Sequence, residues 1–254
     1  MPIDTHAHIN FEAFNRDHDE VIKRSLAEDI WMVNVGSKYS TSKKAVEIAE
    51  RYGNGVYAAV GLHPIHARDE EFSAENYKEL AKSKKVVAIG EIGLDYFKDY
   101  GKFKDIQKRI FLKQLNLAKE LNLPVIIHCR MAHEDLLEIL NFQFSIFNFQ
   151  LKGVIHCFTG NWQQAKEYLD IGFYLGFNGI IYKLDLKEVI KKTPLERILL
   201  ETDCPYLTPP QEGDKRNEPV FVKYVAREIA KIKNISFKEV AKTTTRNAQT
   251  LFEI

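Results

Sequence analysis

Cysteine is scarce in this sequence. Its three residues, Cys129, Cys157 and Cys204, cannot all pair internally, so a disulfide framework is excluded and a reducing, cytoplasmic compartment is expected. Long apolar runs are missing as well. No stretch approaches the roughly 18 consecutive apolar residues of a spanning helix, and no membrane is expected as a partner. The first residues lack the basic-then-apolar layout of a secretory leader, because His6 and His8 arrive at once. Neither sign of charge is in excess: 36 Lys and Arg stand against 35 Asp and Glu. A net charge of +1 does not advertise a nucleic-acid binder, and it does not exclude one, since a local patch is enough. Linkers, repeats and low-complexity tracts are absent too, so residues 1–254 read as one domain.

What is present is a chain with 45% hydrophobic residues, long enough to bury a large core without disulfides or a structural metal. Short β-rich runs recur at about Ile3–Asp4, Trp31–Val35, Val56–Val60, Val86–Ile89, Val125–Ile127, Val154–Ile155, Phe173–Gly176 and Ile198–Leu200. Between most of them lies an amphipathic stretch. Ala45, Ile48, Ala49 and Tyr52 repeat at helical spacing and stop at Gly53, a natural helix-ending residue. Ile106, Ile110, Leu117, Ala118 and Leu121 mark a longer helix, and Pro124 starts the next strand. Ser236 and Glu239 have capping-box spacing before a last helix holding Val240, Ala248 and Leu251. Eight strands alternating with helices predict an α/β fold, a single-domain (β/α)8 barrel of the TIM type; a doubly wound open sheet is the rival. Phe142, Phe144, Phe147 and Phe149 crowd a stretch where a short loop would suffice. Local packing and an exposed self-association patch both stay open for them; a monomer is the expectation.

The polar residues fall in a pattern. His6 and His8 follow the first run, His63 the third, Glu91 the fourth, His128 the fifth, His156 the sixth and Asp203 the eighth. Barrel enzymes place their chemistry at these strand ends. Each residue alone is a weak signal, and His18 and His133, in polar surroundings, read as structural. His6-Ala7-His8 is more specific, because alternate residues of an extended segment share one face and can share a metal. Histidines and carboxylates gathered at matched strand ends have little structural explanation, since burying so many titratable groups is costly without a cation.

The inventory suits two divalent ions. Imidazole with carboxylate fits zinc, manganese or iron, while magnesium prefers more oxygen donors. Two such ions about 3.5–4 Å apart acidify a bridging water and stabilise charge on an attacked ester, with no serine or cysteine nucleophile. Each cysteine sits beside a proposed ligand, but the neighbour of an inward strand residue points outward. The cysteines are therefore not expected to bind metal.

These residues, in this order, resemble the TatD family of metal-dependent deoxyribonucleases, a branch of the amidohydrolase-like barrels. The matching elements are Asp4-Thr5-His6-Ala7-His8, Gly61-Leu62-His63-Pro64, Ile89 through Tyr96, His128-Cys129-Arg130, His156 through Gly160, Glu201 through Leu207 and Arg216-Asn217-Glu218-Pro219. The resemblance implies that His6, His8 and Asp203 hold one metal, His128 and His156 the other, and that Glu91 bridges them. It implies that Asp203 orients or deprotonates the attacking water. Arg130 and His63 are candidates for phosphate contact, Arg130 through a bidentate grip or else as a supporting salt bridge. Asp95 and Glu201 are expected to orient ligands. The Arg216–Pro219 loop is expected to border the cleft or to close the barrel. Two positions depart from the family: Ile65 stands where relatives carry histidine, with His66 one residue later, and Asn178 stands where they often carry serine.

The function implied is hydrolysis of DNA phosphodiesters from the 3′ end of single strands, with short DNA ends as partner and zinc, manganese or magnesium as cofactor. Composition adds a gentle lean: from Lys183 onward 14 Lys and Arg meet 11 Asp and Glu. The alternative is a small-molecule amidohydrolase or phosphoesterase using the same bimetal site, since fold does not fix substrate. A non-catalytic scaffold protein is the third reading, and the complete ligand set argues against it.

Overall fold

Eight parallel strands lie in one sheet whose spatial order is their order in the sequence. They are β1 (Ile3–Ala7), β2 (Trp31–Val35), β3 (Val56–Val60), β4 (Val86–Asp95), β5 (Val125–Arg130), β6 (Gly153–Ile155), β7 (Tyr174–Phe177) and β8 (Ile198–Leu200). A computed structural model supplies this description, for residues 2–147 and 151–254. Helices α1 (His18–Ala27), α2 (Tyr39–Glu50), α3 (Ala74–Leu80), α4 (Lys104–Leu121), α5 (His133–Phe147), α6 (Trp162–Asp170) and α7 (Lys187–Lys192) connect the strands, and α8 (Val222–Lys233) and α9 (Phe237–Phe252) follow. The ring closes just beyond β8. Asp203 N donates to the His6 carbonyl and His8 N to the Cys204 carbonyl, each at 2.9 Å. This is the (β/α)8 barrel; an open sheet would leave β1 unpaired on that side.

Side-chain alternation separates two apolar layers. Ile3, Val33, Val35, Ala59, Val87, Ile126, Val154 and Leu199 form an inner cluster closed by Ala248, Leu251 and Phe252 of α9. Their neighbours, such as Met32, Val60 and Ile127, join the larger cluster beneath the helices. The last helix thus plugs one end of the barrel and leaves the opposite end for chemistry. Ser236 caps it, accepting from Glu239 N at 3.1 Å, which is the N-cap half of the expected capping box. No helix among the described residues is long and apolar enough to cross a membrane.

Two details differ from the sequence reading. The fourth strand does not end at Ile89 but runs on to Asp95, so Glu91 lies within it. A Cβ on Gly90 would stand 2.6 Å from Ile126 Cβ. The glycine there permits close approach of β5 and does not break the strand. The β4–β5 register shifts between Gly90 and Ile92, at the position of Glu91. Helix α2 ends at Glu50, and the left-handed glycine of that connection is Gly55 (φ 84°), not Gly53. Of the clustered phenylalanines, Phe142 is 56% exposed on α5, while Phe149 and the side chains of Phe144 and Phe147 lie outside the described residues.

Candidate metal centre

The strand ends converge on Glu91. Its Oε2 lies 3.4 Å from His6 Nε2 and 3.9 Å from His8 Nε2. Its Oε1 lies 2.9 Å from His128 Nδ1, 3.3 Å from His63 Nε2 and 3.8 Å from His156 Nε2. One carboxylate therefore turns one oxygen to β1 and the other to the ends of β3, β5 and β6. Asp203, beyond β8, places Oδ1 3.4 Å from His8 Nε2 and 3.8 Å from His156 Nε2. Three donor groups gather within 4.8 Å: His6 with His8 and Asp203, His6 with Glu91 and His156, and His63 with Glu91 and His128. His63 thus stands as near Glu91 as the histidines expected to ligate. His66, the displaced family histidine, belongs to none of these groups.

Supporting contacts aim the donors. His8 Nδ1 lies 2.8 Å from the Val35 carbonyl, which only accepts; Nδ1 must carry the proton, and Nε2 presents a lone pair to the cluster. Asp95 Oδ2 sits 3.0 Å from His128 Nε2, and Glu201 Oε2 sits 2.9 Å from His156 Nδ1 while accepting from Cys157 N. Asp4 is fully buried and accepts from Thr202 N, Thr202 Oγ1 and His6 N, tying β1 to the segment after β8.

Electrostatics divides the histidines. Burial pushes His6 down to about 4, which keeps it neutral, the form a metal requires. Burial opposes a proton on His128 too, but Asp95 and Glu91 raise it to about 9. Glu201 and Asp203 likewise overcome burial to hold His156 at about 10. Burial works to raise Glu91, and His63, His6 and His128 outweigh it, keeping that carboxylate well below its ordinary range. Four carboxylates thus demand positive charge in a buried space, which a divalent cation meets better than protons do. The donor set fits a metal.

The remaining candidates separate. Arg130 is exposed, its guanidinium 3.7 Å from the centre of the Phe97 ring, and no carboxylate pairs with it among the described residues. The cysteines stay out of the donor groups, and burial raises all three thiols. His133 is a correction. Its surroundings are not polar: it is buried against Cys129 Sγ (3.3 Å), Tyr168 Oη (3.1 Å) and the Phe158 ring, because the first turn of α5 folds back onto the barrel wall. His18 stays on the surface beside Asp19 and Arg51. In the Arg216 loop, Arg216 grips Asp17 and Glu218 grips Arg24. Between them Asn217 Nδ2 donates to the Thr202 and Tyr206 carbonyls and braces the segment carrying Asp203.

The sequence matches the family model described as TatD related DNase over residues 3–253. The chain belongs to the TatD-related DNase family. An uncharacterized metal-dependent hydrolase of Bacillus subtilis, YabD, is 47% identical over 259 residues, covering 100% of both chains. The 3′-5′ ssDNA/RNA exonuclease TatD of Klebsiella pneumoniae is 35% identical, covering 95% of this chain and 94% of its own. Among solved structures, the Escherichia coli TatD homolog YJJV superposes with a TM-score of 0.90 at 30% identity, covering 100% of this chain and 98% of that one. This TatD barrel is accordingly a metal-dependent hydrolase.

Sequence reasoning missed two glutamines that hold this TatD site in shape. Gln114 of α4 exchanges two hydrogen bonds with the backbone of Leu62, at 2.8 and 2.9 Å, beside His63. Gln107 does the same with Asp95, both at 2.8 Å. The available signal was two amides seven apart on the apolar stripe of one helix.

Proposed function

We propose that the protein is a two-metal nuclease that removes nucleotides from the 3′ end of single strands. The observation carrying this reading is the Glu91 carboxylate, with one oxygen toward His6 and His8 and the other toward His63, His128 and His156. In this reading His6, His8 and Asp203 would hold one divalent cation, His128 and His156 the second, with Glu91 shared between them and His63 on the His128 side. Bound zinc, manganese or magnesium would polarise the phosphodiester and acidify a water.

The chain's own groups supply the rest. Asp203 is the water's proton acceptor. Its side chain is 17% exposed against 5% for Glu91 and 0% for Glu201, so it faces the opening. Burial works to raise it, but His8, His156 and His6 keep it ionised below the ordinary carboxylate range. Arg130, seated on Phe97 and paired with no carboxylate among the described residues, takes a phosphate oxygen pair. Asp95 and Glu201 keep the two imidazoles in place. The substrate assignment is supported by relatives named 3′-5′ ssDNA/RNA exonuclease in three bacteria, at 34–36% identity.

The test uses protein stripped of metal and resupplied, incubated with oligonucleotides labelled at either end. Stepwise release of mononucleotides from the 3′ end is the expected result. No cutting of any nucleic acid with every divalent ion tried overturns it and favours a small-molecule hydrolase.

A further inference from the structure

Five large hydrophobic residues are exposed among the described residues: Tyr100 (40%), Met131 (71%), Phe142 (56%), Leu184 (43%) and Tyr206 (55%). Four of them share one location. Tyr100 follows β4, Met131 follows β5, Leu184 follows β7 and Tyr206 follows β8, so all stand on the loops that ring the metal centre. Scattered exposure needs no explanation, but exposure concentrated at the mouth of a site does.

The rim carries cationic surface beside its apolar surface. β4 and β5 pair as far as Asp95 and Arg130, and Tyr96 N donates to the Arg130 carbonyl at 2.9 Å. This register sets Phe97 beneath the Arg130 guanidinium and Met131 next to it. Phe97 is itself held, its N–H donating to Asp95 Oδ1 at 2.8 Å, the carboxylate that also meets His128. On the β8 side the Tyr206 backbone is pinned from both directions: its N–H donates to the Asp203 carbonyl and its carbonyl accepts from Asn217. A braced backbone with a half-exposed ring is a platform. Partial burial, then the charges of Asp203 and Glu91, raise its phenol, so the ring lies within the field of the site.

The geometry points to a base-reading rim: Tyr206 and Met131 pack against the faces of the unpaired nucleobases at the 3′ end of a single strand, while Arg130, positioned by Phe97, takes the phosphate between them. This rests on the nuclease reading and adds what selects its substrate. A duplex end keeps its base faces within its own stack; an unpaired end offers them, and each base–aromatic contact is worth roughly tenfold or more in binding.

The test compares kcat and KM on a single-stranded oligonucleotide and on the same oligonucleotide with abasic sites at its two 3′-terminal positions. The wild-type protein is expected to lose about tenfold or more, in KM, on the abasic substrate. Tyr206→Ala is expected to lose a similar factor on the intact substrate and nothing further on the abasic one, with Tyr206→Phe restoring the wild-type pattern. Phe97→Ala, which releases Arg130, is expected to lose on both. Phe142→Ala, away from the rim, serves as the unaffected control. Equal use of intact and abasic ends by the wild type, or equal losses for Tyr206→Ala on both, overturns the rim while the nuclease reading stands. A wild type that cuts neither overturns both.

Discussion

Glu91 shows what a single residue does here. Five imidazoles surround one buried carboxylate, which turns one oxygen to each side of the cluster. Glu91→Ala or Asp203→Ala is expected to abolish metal-dependent degradation of single-stranded DNA while the circular dichroism spectrum stays that of the wild type; full activity in either sinks the assignment. A subtler residue is Gly176. A Cβ there would stand 1.9 Å from Glu201 Oε1, and Glu201 is fully buried with nowhere to retreat. Gly176→Ala is expected to push Glu201 off His156 and Cys157 N, lowering metal affinity or activity about 10- to 100-fold, as losses of ligand-orienting groups do. Titration calorimetry with manganese reads the affinity directly. The candidate ligand histidines were legible as residues because their chemistry is rare at strand ends. Glycine 176 was not, because its reason is a neighbour 25 positions away.

At the scale of elements, α4 does more than cover the barrel. Its apolar stripe, with Ile110, Phe111, Leu115 and Ala118 buried, was legible from periodicity. The two glutamines within that face were not, since an amide in a helix ordinarily points to water. Gln114→Leu orphans the N–H and C=O of Leu62 in a buried place, at about 1–3 kcal/mol each. A matching fall in urea midpoint is expected, together with impaired activity through the adjoining His63. On α5, burial holds His133 at about 4, well under its ordinary 6.5. Between those values the unfolded chain takes a proton that the folded one refuses. The neutral form's stability is whole above 6.5 and is lost as pH falls toward 4, on the order of 3 kcal/mol in total. His133→Gln is expected to flatten the stability–pH curve within that window only, and an unchanged slope refutes the assignment.

For the whole molecule, ring closure and metal binding are coupled. The hydrogen bonds that close the barrel run between His6 and Asp203 and between His8 and Cys204, so the residues that shut the ring include the candidate ligands. Cations are therefore expected to stabilise the fold. An ion at roughly 100 times its Kd adds about 2.7 kcal/mol, several degrees of Tm for a chain of this size. Chelated protein is expected to gain that Tm on addition of manganese or zinc, and Glu91→Ala is expected not to. No shift in the wild type refutes the coupling.

The sequence alone determined the alternation of strand and helix, because apolar periodicity follows from burial on one face. It also singled out most of the candidate donors, because imidazole and carboxylate at matched positions answer to metal chemistry and little else. Only the tertiary structure decided the rest. Closure brings residue 6 beside residue 203, one Glu91 carboxylate lies between both sets of histidines, and His63 comes as near to it as the others. These are facts of distance between strand ends, and no local pattern of residues encodes a distance across a barrel.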